Sequence, residues 1–278
     1  MPITINGSEG ITNATWTNAT RPSNPVAGQM GYNTESRAFE VYNGTLGEWR
    51  PLFPGSLNAT GGNTYDKQIS GVLYRIHEFT SGSSTFVVND GGFIEYLLVA
   101  GGGGGGAGAV NNNDGGGAGG AGGYVAGSIA LSSGSYPIVV GAGGSGGAAQ
   151  NDGTSGGDTT AFSLTAIGGG FGGGPNSPGG NGGSGGGAGG GGALGQDLGG
   201  VGSQGSNGGS RPIGDVFPYN AAGGGGASSN GLDGQILQNT NGGAGILFNI
   251  NGEPVFYCGG GGGGGGITSS KNPDSLGY

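Results

Sequence analysis

The sequence predicts a chain that is mainly β and irregular: a small N-terminal β-hairpin module, then β-strands, then a glycine-rich bundle of polyglycine II helices, with almost no α-helix. Three observations predict it. Glycine supplies 81 of the 278 residues, and 67 of those lie within residues 101–266, against an ordinary share of roughly 7%. Hydrophobic residues make up 32% and charged residues 8%, too few for a large conventional core. Short apolar segments rich in β-branched and aromatic residues stand directly before and after the glycine blocks, where strands would anchor them.

Residues 1–53 read as a β module for attachment or oligomerisation. Within it 29–32 is a short strand, 33–37 a polar turn, 38–42 a second strand, Asn43, Gly44 and Thr45 a turn, and 48–52 a last strand. Side-chain alternation puts Phe39 and Val41 on one face and Glu40 and Tyr42 on the other. A unit of this size buries too little surface to fold well alone, so it is expected to lean on a copy of itself or on a neighbour. Residues 54–64 form a turn-rich linker and 65–100 a β lead-in, with strands at 72–79, 85–89 and 93–100. The last of these, FIEYLLVA, runs straight into six glycines at 101–106. Residues 101–266 are the bundle with its loop inserts, with strand-like pieces at 135–140 and 246–248, and 267–278 are a C-terminal tail.

Three structures compete for the glycine blocks. Collagen needs glycine at every third position with abundant proline, and runs of six and eight glycines with 12 prolines in all break that pattern. A flexible linker follows from the entropy of glycine, but a linker has no reason to be punctuated by FIEYLLVA before the first block and ILFNINGEPVFYC before the last. Packed threefold helices of the polyproline II kind do have one. They make no internal hydrogen bonds, so their backbone groups must pair with neighbouring rods, and side-chain-free rods approach closely enough to do so.

Little in the composition supports chemistry. The net charge is −9, with seven scattered basic residues, whereas a nucleic-acid phosphate backbone requires a clustered basic patch. One cysteine and one histidine exclude an internal disulfide and a Cys/His zinc set. GxGxxG patterns recur by chance at this glycine density, and no helix former follows FIEYLLVA as a dinucleotide site requires. A phosphate loop needs Gly-Lys-Ser/Thr, and Lys271 is followed by Asn272. His77 is read as a pairing or surface residue and Cys258 as a packing residue, since no positive charge stands near it in sequence to activate a thiol. The acids of the glycine-rich part, Asp114, Asp152, Asp158, Asp197, Asp215, Asp233 and Glu253, read as turn formers; Asn111 to Asp114 is oxygen-rich but has no EF-hand pattern. No cofactor and no enzymatic activity are expected. The start lacks a signal-peptide pattern and no stretch approaches 18 apolar residues, which reads as a protein made and assembled in a cytoplasm.

The segments IHEFTSGSSTFVVNDGGFIEYLLVAGGGGGG (76–106), GSYPIVVGAGG (134–144), GGDTTAFSLTAIGGGFGGG (156–174) and FYCGGGGGGGG (256–266), taken in that order, resemble the glycine-rich domain at the ends of bacteriophage tail fibres and tail-tip adhesins. MPITINGS and the RPSNPVAGQMGYNTESRAFEVYNGT stretch are similar to the start of phage virion fibre proteins. The resemblance implies a virion protein of the phage tail or fibre, a homotrimer, joined to other tail or fibre proteins through residues 1–53. Loops between the glycine blocks would touch a host surface glycan or outer-membrane protein. An alternative from another class is a structural or decorating fibre whose partner is another virion protein.

The inserts hold the candidate receptor-binding residues. Arg211, Asp215, Phe217 and Tyr219 combine a cation, an acid and two aromatics in one insert, a composition typical of interface hot spots. Phe171 and the Ile236 and Leu237 pair are further candidates. The competing reading for the first insert is that Phe217 and Tyr219 pack on the bundle.

Overall fold

A computed structural model describes residues 5–6, 10–11, 14–35, 38–45, 47–51, 57–109, 114–191, 197–211, 220–235 and 240–265. The chain divides into two compact units, the first made of Met1–Thr60, Val87–Ile94 and Ser128–Ser135, the second of Gly61–Phe86, Glu95–Gly127 and Tyr136–Tyr278. Among the described residues the fold is mainly β-strand and irregular backbone, with one three-residue 3₁₀ turn and no α-helix.

In the first unit β1 (Ile5–Asn6) pairs with β2 (Gly10–Ile11). Strands β3 (Thr15–Trp16), β4 (Met30–Asn33), β5 (Ala38–Asn43) and β6 (Glu48–Pro51) form a four-stranded sheet in chain order, β3 parallel to β4 and the rest antiparallel. The expected hairpin strands are therefore present within a residue or so of their expected bounds, and β3 is an addition. Trp16, on the edge strand β3, is buried, its ring tilted 59° to that of Trp49 with centroids 4.6 Å apart. Gly31 is glycine because its backbone lies under the Trp16 indole, where any Cβ would collide with the ring. Alternation turns Glu40 inward, to 2% exposure. That is tolerated because Trp16 Nε1, Asn33 Nδ2 and Arg21 Nε donate to its carboxylate at 3.0, 3.0 and 2.9 Å. β7 (Asn58–Thr60) pairs antiparallel with residues 87–90.

The second unit opens with a hairpin of β8 (Asn63–Ile69) and β9 (Val72–Glu78), in register over seven residue pairs. Its two-residue turn has both φ angles positive, Ser70 at 50° and Gly71 at 86°, the turn geometry whose twist matches the strands and favours glycine. The expected linker of 54–64 thus ends early: residues 58–60 and 63–64 are strand. Further strands are β10 (Gly82–Asp90), β11 (Gly92–Val99), β12 (Tyr124–Leu131), β13 (Gly134–Val140), β14 (Thr159–Ala161), β15 (Leu164–Ala166), β16 (Ile246–Phe248) and β17 (Val255–Tyr257). The boundary between the units falls within β10, β11, β12 and β13. β11 pairs with β12, β13 with β14, β14 with β15, and β16 with β17. The apolar core of this unit is an aromatic cluster: Phe162 meets Phe86, Tyr96 and Tyr136 with centroids 6.0, 6.3 and 5.8 Å apart, and His77 stands edge-on to Phe86 at 5.1 Å.

The strands then run into rods of glycine. β11 continues into 100–108 and 115–123 returns into β12; β13 continues into 141–148 and 151–157 returns into β14; 240–245 leads into β16 and β17 leads into 258–265. Within a rod the hydrogen-bond partner changes every residue and recurs every third. Ala100, Gly103 and Gly106 donate to the carbonyls of Gly123, Gly120 and Gly117, while Gly101, Gly104 and Ala107 donate to Gly157, Thr154 and Asn151, all at 2.8–3.1 Å. A three-residue repeat bonded only to neighbours is the pattern of packed polyproline II-type helices, and it excludes the flexible linker.

Glycine is required here for space rather than for backbone freedom. The positive-φ glycines all lie outside the blocks, at turns and strand ends. Inside the blocks a Cβ on Gly103, Gly104 or Gly106 would meet the carbonyl oxygens of Gly170, Ser145 and Gly173 closer than the 3.0 Å that real Cβ contacts respect. The rod 115–123 sits innermost, bonded to the rods 100–108, 167–174, 184–190, 221–226 and 259–265. Its Ala-Gly-Gly repeat places Ala118 and Ala121, both buried, at the third positions where a methyl fits.

Candidate functional site

The expected binding insert begins at Arg211, and the structure turns this residue inward. Its backbone N–H donates to the Asp197 carbonyl at 2.8 Å, its Nε and Nη2 to Asp197 Oδ2 at 3.0 and 2.7 Å, and its Nη1 to the Gly191 carbonyl at 2.6 Å. Only 1% of it is exposed. Arg211 is thus engaged with Asp197 through both backbone and side chain and with Gly191 through its guanidinium. Asp215, Phe217, Tyr219, Ile236 and Leu237 lie outside the described residues. Phe171 is half-buried, its ring lying where a Cβ on Gly180 would be.

The aspartates do more than form turns. Asp152 Oδ1 accepts from Gly174 N, Asp158 Oδ1 from Gly168 N and Asp233 Oδ1 from Ser210 N, each at 2.7 Å. At block ends a rod lacks a neighbour for some of its N–H groups, and a carboxylate oxygen takes that neighbour's place. Sequence reasoning missed this because the signal, an acid next to a block whose partner block is far along the chain, is visible only once the rods are assembled. Among the described residues no cluster of three or more His, Cys, Asp or Glu could hold a metal. The Cys258 thiol is half-buried and pushed up to about 11 by burial, so it stays protonated and unreactive at neutral pH. His77 Nδ1 lies 2.8 Å from the Gly61 carbonyl, a pairing role.

One concave feature stands out. A groove of about 730 Å³ runs beside the innermost rod, floored by 114–121 and walled by 102–109 and 259–265. The five rods around 115–123 are bonded in sequence, 100–108 to 167–174 to 184–190 to 221–226 to 259–265, and among the described residues no bond closes the ring between the last and the first. The groove lies in that gap. Its floor amides Gly116 and Gly119, and the wall carbonyls of Gly103 and Gly106, have no hydrogen-bond partner among the described residues. At its end Asp114 is 7% exposed, with Oδ1 unpartnered among the described residues. Burial raises its carboxyl above the ordinary range, and the charge of Arg211 opposes that rise.

A rod bundle stitched through its backbone and capped by short strand pairs defines a glycine-rich structural domain. The chain matches the glycine-rich domain family over residues 79–277, well over half its length, and belongs to it. No curated protein and no solved structure matches the chain.

Proposed function

We propose that this protein is a bacteriophage virion fibre protein, non-enzymatic, whose glycine bundle holds loop inserts against a host surface glycan or outer-membrane protein. The observation that carries the reading is the division of labour along the chain: the bundle interior is backbone, so chemical variety is confined to inserts that can change without disturbing the rods. The ordered segments at 76–106, 134–144, 156–174 and 256–266 supply the resemblance to phage fibre tips. Residues 1–53 would join the protein to other tail or fibre components as a trimer. Asp215, Phe217 and Tyr219, with Ile236 and Leu237, are the residues proposed to contact the receptor.

A second reading, a structural or decorating fibre whose partner is another virion protein, is favoured by one observation: Arg211 and Phe171, two of the candidate contacts, are engaged in packing. Purified full-length protein applied to a panel of bacterial strains separates the two. The adhesin reading expects it to bind a subset of strains and to block infection of those strains, with the double variant Phe217→Ala/Tyr219→Ala binding at least tenfold more weakly. Protein that binds no strain, while its loss prevents particle assembly, rejects the adhesin reading in favour of the second.

A further inference from the structure

We infer that the groove beside 115–123 is a docking site for a glycine-rich strand of another polypeptide chain, which seats in extended polyproline II conformation as the sixth rod around 115–123. In a threefold rod the N–H groups of successive residues point about 120° apart. On the innermost rod Gly117, Gly120 and Gly123 donate to 167–174, and Ala118 and Ala121 donate to 221–226. The third set, Gly116, Gly119 and Gly122, has no acceptor among the described residues and is the set left for the gap. Free carbonyls at Gly103 and Gly106 stand on the wall beside it. A strand laid there meets donors on the floor and acceptors on the wall, at the three-residue spacing every other rod uses.

The walls are also smoother than this chain requires. A Cβ on Gly102, Gly105, Gly262 or Gly265 would meet nothing closer than 3.4 Å, yet each position is glycine. At the end of the groove the unpartnered, buried Asp114 Oδ1 calls for a donor from outside, best a lysine or arginine beside the docked strand. Residues 267–278 contain a single glycine, Gly277, a composition unlike that of the rods that surround 115–123.

The test uses the full chain and a labelled peptide of four Ala-Gly-Gly repeats ending in lysine. Saturable binding is expected, with amide shifts at Gly116, Gly119 and Gly122, weakened at least tenfold by Gly105→Leu and by Gly262→Leu, two positions where a Cβ meets nothing closer than 3.4 Å, with the thermal midpoint of each variant checked against the parent. Asp114→Asn should remove the preference for the lysine-ended peptide over a glutamate-ended one. A peptide with leucine at every third position should not bind. Concentration-dependent self-association abolished by Gly105→Leu would also support the inference, the second chain then being another copy. Absence of peptide binding with no such self-association, equal binding by Gly105→Leu, or binding that appears only after removal of 267–278 would each overturn it.

Discussion

Glu40 shows how a single side chain governs the first unit. Burial works to raise its carboxyl above the ordinary value of 4.5, but the hydrogen bonds from Arg21, Trp16 and Asn33 and the charge of Arg21 outweigh burial and hold it lower. A carboxylate depressed in the folded state contributes stability above its unfolded value, and that contribution is lost as pH falls through the lower folded value. The first unit is therefore expected to lose stability on acidification below about pH 4.5, and Glu40→Gln to flatten that dependence; thermal midpoints followed by tryptophan fluorescence between pH 3 and 7 would check it. Glu40→Ala leaves the Trp16 and Asn33 donors buried without their acceptor, at a cost of about 1–3 kcal/mol. Strand alternation separates Glu40 from Phe39 and Val41 in the sequence, but which face is the inner one is decided by Trp16 and Arg21, which reach Glu40 from 24 and 19 positions earlier.

At the scale of elements, strands and rods differ in how far they can be read. β5, β9, β11 and β13 stand out because branched and aromatic residues cluster in them. β8 was missed because Asn63–Ile69 is almost wholly polar and is held by cross-strand contacts such as Arg75 to Asp66 at 2.8 Å. β12 was missed because alanine and glycine dilute its apolar residues. The existence of rods follows from the block pattern, yet their neighbours do not, since polyglycine carries no side chains to encode who bonds to whom. The three-residue repeat does make a sharp forecast. Gly103→Ala drives a methyl into the Gly170 carbonyl and should destabilise the second unit by about 1–3 kcal/mol, whereas Gly102→Ala, whose methyl meets nothing nearer than 3.7 Å, should be within about 0.5 kcal/mol of the parent. Denaturant midpoints of the two variants, one residue apart, would show the difference; equal midpoints would contradict the rod packing.

For the molecule as a whole, the candidate site was only partly legible. Composition singled out Arg211 as a contact residue, and in the structure it pairs with Asp197, 14 positions earlier, a pairing that no local pattern announces. The groove and Asp114 gave no sequence signal beyond the Ala-Gly-Gly repeat of 115–123. The bundle itself has a thermal consequence. Exposing apolar surface raises the heat capacity on unfolding and exposing peptide groups lowers it, with an ordinary net of about 12–15 cal/mol/K per residue. An interior built from peptide groups should bring the second unit to no more than about half that figure. Scanning calorimetry would then show a shallow, wide stability curve, a protein nearly indifferent to cold and slow to weaken as the temperature climbs.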